Sequence, residues 1–190
     1  MNIPFDVSGI EIRTERLLLR LWRNDDLNDL YEYAHVDGVG QMAGWKPHQS
    51  KEESAQILNM FIAGKKTFAL EYQGKVIGSL GIEQYDEKQV PELDSLKGRE
   101  IGYVLAKEYW GRGLMPEAVK AVIDWMFEHT DIDFLTCGHF AYNRQSKRVQ
   151  EKCGFRFLKY IEFETMLGKT EKTSLNILYR SDWQKTKGTE

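Results

Sequence analysis

Between residues 99 and 155 the chain runs twice through the same order: a strand-like run, a polar bend and a helix. "REIGYVL" (99–105) leads through "AKEYWGRGLM" into a helical pattern. In that helix Val119, Val122, Ile123 and Met126 recur at spacings of three and four. "DFLTCGHF" then leads into "NRQSKRVQEKC", a short helix capped by Asn143. Strands that flank a helix can lie parallel, because the helix supplies the crossover that parallel strands need. These two units therefore ask for a sheet with a parallel element in it.

The rest of the chain supplies antiparallel strands and two more helices. "RTERLLLRLWR" (13–23) reads as a first strand. "NDDLNDLYEYA" (24–34) offers Asn24 or Asp25 as a cap, with Leu27, Leu30 and Tyr31 at helical spacing. The glycines and proline of residues 35–49 make a loop. Ser50 with Glu53 fits a capping box, and Ile57, Leu58, Phe61 and Ile62 form one face of a second helix. "TFALEY" and "KVIGSLGIEQY" form a hairpin with Gly74 in its turn. Residues 86–98 form a polar loop long enough to lie over a site. "GFRFLKYIEFE" and "TSLNILYR" are the last two strands, before a polar tail. The sum is an α+β fold, an α/β sandwich with a mixed sheet of about seven strands and about four helices. Residues 11–183 read as a single domain, with 1–10 and 184–190 as short tails.

Composition narrows the function classes. A chain of 190 residues with 42% hydrophobic and 29% charged residues has the balance of one soluble globular domain. A net charge of −3 argues against a nucleic-acid protein. Cys137 and Cys153 do not make a disulfide framework and suit two reduced thiols in a cytoplasmic protein. "MNIPFDVSGI" does not read as a signal peptide, so none is expected, and no apolar run approaches the ~18–20 residues of a membrane span.

The bend "YWGRGLMPEAV" raises the question of phosphate binding. It lacks the lysine and serine of a Walker loop and the third glycine of a dinucleotide loop. A helix beginning near Met115, with Pro116 suited to its first position, presents unpartnered N–H groups and a positive dipole end. Gly111 and Gly113 let a phosphate approach the backbone, and Arg112 adds charge. A plain tight turn with a solvated Arg112 fits these residues equally well.

Two stretches together resemble the GCN5-related N-acetyltransferases (GNAT), most closely the ribosomal-protein N-terminal acetyltransferases of the RimJ and RimL type. "REIGYVLAKEYWGRGLMPEAV" is similar to the family's acetyl-CoA motif, and "NRQSKRVQEKCGF" to the motif that follows it. "ERLLLR" near the start and "LYRSDW" near the end match as well, so the resemblance spans about residues 11–183. Trp110 and Met115 depart from the family's usual loop, which has Gln or Arg at the first position and Gly or Ala at the last.

The resemblance implies a GNAT-like fold and a role for each matching residue. Tyr103, Val104 and Leu105 would pair their backbone with the pantetheine arm of acetyl-CoA. The turn Gly111, Arg112, Gly113, Leu114 and Met115 would take the pyrophosphate, and Asn143 would bond the pantetheine or acetyl region. Many relatives place an acidic tyrosine where this chain has Gln150, which cannot serve. Ser146 is the replacement, as hydrogen-bond donor to the departing sulfur, with helix capping as the plainer reading. Glu100 is the first choice for the base, because alternation puts it opposite Ile101 beside the cofactor residues. A salt bridge or a solvated strand start fits Glu100 about equally well. Glu83 and His139 are weaker candidates, and Trp45 could line the acceptor pocket or simply anchor its loop. Cys137, Cys153 and His139 lack zinc spacing, so no metal is expected.

The expected activity is transfer of the acetyl group from acetyl-CoA to a primary amine by direct attack. The acceptor class is a protein or peptide N-terminal amine, for example of a ribosomal protein. A polyamine or aminoglycoside acceptor and a non-catalytic acyl-CoA-binding module are the alternatives. No nucleic-acid or membrane partner is expected, and a homodimer is one option for the assembly.

Overall fold

The two strand–helix units form the centre of the molecule in the computed structural model, which describes residues 1–188. The first unit is β5 (Gly98–Leu105) and α3 (Leu114–His129); the second is β6 (Phe134–Phe140) and α4 (Arg144–Lys152). Upstream lie β1 (Ile12–Arg13), β2 (Leu17–Leu21), α1 (Leu27–Ala34), α2 (Lys51–Gly64), β3 (Thr67–Tyr72) and β4 (Lys75–Glu83). Downstream lie β7 (Arg156–Glu164), β8 (Thr170–Tyr179) and α5 (Arg180–Lys187). The strands form one sheet in the order β1-β2-β3-β4-β5-β6-β8-β7. β5 and β6 are parallel, and all other pairs are antiparallel. This is the mixed-sheet α+β sandwich expected, with eight strands and five helices among the described residues.

The additional elements have local causes. The run 13–23 breaks where the Thr14 hydroxyl accepts from Leu17 N, which splits off the two-residue β1. The end of the chain, read as a polar tail, forms α5 over Arg180–Lys187, anchored by Trp183 against Phe127 at 5.4 Å. Residues 189–190 of that tail lie outside the described residues. At the other end, Val7 is buried in the core and Asn2 bridges to Gly98. Neither Asn24 nor Asp25 caps the first helix: both lie in a short 3-10 turn, Asn24–Asp26, whose Asp26 accepts from Arg23 N at 2.7 Å, and α1 starts after it without a side-chain cap.

Alternation along the strands divides the core. Phe68 and Leu70 of β3 face α3, while Ala69 faces α1 and α2. The apolar stripe of α3, including Val119, Val122, Ile123 and Met126, is buried against the first face. The loop 86–98 does not lie over the cleft described below. It packs Val90 and Leu93 with Tyr85 and Phe134 into a third cluster on the sheet face away from α3, the face that also carries Glu100. Among the described residues no helix is long and apolar enough to cross a membrane.

Candidate active site

β5 and β6 stay together for only three residue pairs, ending at Glu100↔Thr136. Beyond that point β5 keeps pairing with β4 as far as Leu105↔Gly78, and β6 keeps pairing with β8 as far as Phe140↔Thr173. The two parallel strands thus part in mid-sheet. A cleft of about 690 Å³ opens there, lined by Tyr103, Val104 and Leu105 on one side and Gly138 and Ser146 on the other. One lone pair of the Leu105 carbonyl is already taken, because it accepts from the Trp110 indole at 2.8 Å. Trp110 therefore pins the bend that leads to α3.

The start of α3 closes one end of the cleft. The first intrahelical bond runs from Glu117 N to the Gly113 carbonyl at 3.2 Å, so the N–H groups of Gly113, Leu114 and Met115 have no partner within the helix. The side chains of Leu114 and Met115 are buried in the core, so only their backbone faces the bend. Pro116 is the third helical residue rather than the first, and its missing N–H falls within the same unpartnered turn. Gly111 and Gly113 both have positive φ, 75° and 77°. Arg112 does not line the cleft. Its guanidinium lies over the rings of Tyr72 and Tyr109, at 5.4 and 5.2 Å, and bonds the Tyr72 hydroxyl at 3.2 Å. Gly113→Val is expected to cost about 1–2 kcal/mol through its left-handed backbone and to weaken acetyl-CoA binding about tenfold. Calorimetric titration checks this, with Gly111→Ala as the milder companion.

At α4 the capping group is Asn143, whose Oδ1 accepts from Ser146 N at 3.0 Å. Its Nδ2 reaches the Met42 carbonyl at 3.4 Å, so both ends of this side chain are engaged. The Ser146 hydroxyl is left to face the cleft, 2.9 Å from the Tyr103 hydroxyl.

Glu100 lines the other half of the cleft, on the sheet face opposite Ile101 and directly across from Glu83. It is partly buried, and Thr136 Oγ1 donates to it at 3.4 Å. Burial, with the charges of Glu83 and Asp86 adding to it, pushes its carboxyl up to about 7 against the opposing Thr136 bond. Glu83 itself is paired with Lys66. His139 projects from the other face, with Nδ1 2.9 Å from the Phe140 carbonyl. Burial pushes the Cys137 thiol well up and the Cys153 thiol to about 12. Trp45 anchors its loop by packing over Gly40, where an added Cβ would meet its ring at 2.2 Å. Met42 and Ala43, beside it, line the cleft in its place. Among the described residues no group of three or more His, Cys, Asp and Glu could hold a metal ion.

A model of the acetyltransferase (GNAT) domain matches residues 16–156. The chain belongs to the GNAT acetyltransferases. Among its GNAT relatives is the uncharacterized N-acetyltransferase YoaA of Bacillus subtilis, 26% identical over 152 residues and matching 76% of this chain and 82% of that protein. The fold is also that of the ribosomal-protein-S5-alanine acetyltransferase of Vibrio fischeri, at a TM-score of 0.69 and 22% identity, over 92% of this chain and 99% of that one. The microcin C7 self-immunity acetyltransferase MccE, solved with acetyl-CoA and AMP, superposes at a TM-score of 0.72 and 15% identity, over 87% of this chain and 93% of that one.

The Tyr103 side chain reaches Ser146, a contact that the backbone pairing expected of this residue does not include. Its signal lay in helix spacing. Ser146 and Gln150 are four apart on α4 and share the face that meets Tyr103.

Proposed function

We propose that this GNAT protein transfers the acetyl group of acetyl-CoA to a protein or peptide N-terminal amine, in the manner of the RimJ and RimL branch. Residues 11–183 act as one catalytic domain, working in the cytoplasm. The observation that carries the reading is the parting of β5 from β6, between the unpartnered amides of α3 and the carboxyl of Glu100. Those amides and the side-chain-free positions 111 and 113 fit a pyrophosphate. The exposed stretch of β5, chiefly Tyr103 and Val104, fits an extended amide-bearing arm. When bound, acetyl-CoA supplies the activated acyl group.

The chain's own residues account for the rest. Glu100 takes a proton from the incoming ammonium, so that the neutral amine can attack. Ser146 donates a hydrogen bond to the departing sulfur. The buried, high-pKa thiols of Cys137 and Cys153 are poor nucleophiles, in keeping with direct attack rather than an acyl-enzyme. The acceptor half of the cleft favours a peptide over a polycation. Its walls include Met42, Phe140, Ile161 and Phe163, and of its two facing carboxylates Glu83 is already paired with Lys66.

A thermal-shift measurement with acetyl-CoA, followed by thiol release over N-terminal peptides, polyamines and aminoglycosides, tests the proposal. A shift with release on peptides is the expected result. Release confined to small amines would move the acceptor to that class. Binding without release on any amine would leave an acyl-CoA-binding module, and no shift at millimolar acetyl-CoA would overturn the reading.

A further inference from the structure

The parted strands are bridged by a buried side-chain network of which the mechanism above uses a single hydroxyl. Gln150 is 1% exposed and sits one turn after Ser146 on α4. The orientation of its amide follows from its partners. One contact of Nε2 is the Gly138 carbonyl at 3.0 Å, and a carbonyl can only accept. Its Oε1 accepts from Asn176 Nδ2 at 2.5 Å. Asn176 is in turn held by the Ser174 hydroxyl at 3.5 Å and the Ser174 carbonyl at 3.4 Å. The other Gln150 contact, Nε2 to Ser146 Oγ at 3.2 Å, must therefore be a donation into the serine oxygen.

That fixes the direction of the serine's own proton. An amide N–H has no acceptor lone pair to offer, so the Ser146 hydroxyl cannot donate back to Gln150. From across the gap the Tyr103 hydroxyl lies 2.9 Å from the same oxygen. Tyr103 has one hydroxyl proton and two acceptors within reach, this oxygen and the Ser146 carbonyl at 3.3 Å; where it donates to Oγ, both lone pairs of Oγ are filled and the serine hydrogen is left for the cleft, which Tyr103 and Ser146 both line.

We propose that Gln150, locked by Asn176, is a positioning residue that sets the hydrogen-bond polarity of Ser146 so that its hydroxyl is presented to the sulfur of coenzyme A. The inference rests on the acetyl-transfer reading. In that reaction the nitrogen gives one proton to Glu100 and then forms the N–C bond with its lone pair. The C–S bond breaks with its electron pair on sulfur, and the second nitrogen proton leaves to water. Ser146 keeps its proton and stabilises the thiolate by donation, and water reprotonates the thiolate on release. The position at which many relatives carry an acidic tyrosine thus acts here through its neighbour.

The test needs no acceptor. The thiol of bound coenzyme A is titrated by its ultraviolet thiolate absorbance in the native protein, Gln150→Leu, Ser146→Ala and the double variant. The native protein is expected to hold that thiol about one pH unit below its value in Gln150→Leu, a tenfold change in thiolate fraction. Ser146→Ala and the double variant should match Gln150→Leu, because all three break the same chain. Gln150→Leu strands Asn176, so Gln150→Leu with Asn176→Leu is measured beside it to keep a folded variant in hand. Coenzyme A that binds with the same titration in native and Gln150→Leu protein would overturn the inference while leaving the acetyl-transfer reading standing. So would a further shift in the double variant. Absence of coenzyme A binding by the native protein would overturn both.

Discussion

Glu100→Gln is expected to slow acetyl transfer about 10²- to 10⁴-fold, the usual contribution of a positioned general base. The carboxyl sits where β5 and β6 part, beside Thr136 and opposite Glu83, and its pKa is pushed up to about 7 chiefly by burial. An N-terminal amine has an ordinary value of about 7.7–8.0, so donor and base are matched to within about one unit. In the native enzyme kcat/KM should rise with pH through about 7, as the carboxyl ionises. That limb should vanish in the glutamine variant. The same shift has a stability consequence of defined sign. The folded state holds its proton between the ordinary glutamate value of 4.5 and about 7, while the unfolded chain does not. This stabilisation is complete below 4.5 and is lost as pH rises through about 7. Glutamine stays neutral throughout, so Glu100→Gln should melt above the native protein at pH 8 (roughly one unit past the folded value). A variant that melts lower at high pH and keeps full activity would show a structural carboxylate instead.

Local patterns carried most of the architecture. The buried stripe of α3 and the glycine turn between β3 and β4 follow from residues within one element, and so does the placement of Glu100 opposite Ile101. What was not legible depends on residues far apart in sequence. Nothing in "REIGYVL" marks where β5 leaves β6, because that pairing depends on β6, a separate segment of the chain. Arg112 reads as a phosphate ligand until Tyr72, 40 residues earlier, offers it an aromatic perch. Trp45 reads as a pocket wall until Gly40 makes room for its ring. Gln150 reads as a lost acid because its chemistry depends on Gly138 and Asn176. α5 is not legible in "RSDWQKTK", which has no apolar stripe; its docking rests on Trp183, which also donates to Asp124 at 2.6 Å. The local physics of elements is written in spacing, whereas a site is written in which elements meet.

Asp26→Ala is expected to destabilise the protein by about 3–5 kcal/mol, the cost of stranding a buried ionic partner. Arg20 and Asp26 are 5% and 6% exposed, and the guanidinium grips both carboxylate oxygens at 2.9 and 2.8 Å. Its Nε donates to Glu71 at 2.7 Å, and Asp26 also holds Arg23 N. The cluster welds β2 and β3 to the entry of α1, and α1 leads into the loop that brings Met42 and Ala43 to the cleft. Without Asp26 the buried guanidinium keeps only Glu71 and the Leu21 carbonyl as partners, and loses its bidentate carboxylate. Replacing Arg20 together with Asp26 by apolar residues should cost much less, because no charge is then left buried and unpaired except Glu71, which reaches solvent. Urea unfolding of the single and double variants measures the difference. The exposed pair Lys147–Glu151 serves as control, since removing it should change stability by no more than about 0.5 kcal/mol. A single variant that lost no more than that control would show that the β2–α1 corner is held by its apolar neighbours, Trp22 and Leu30, and not by the ion cluster.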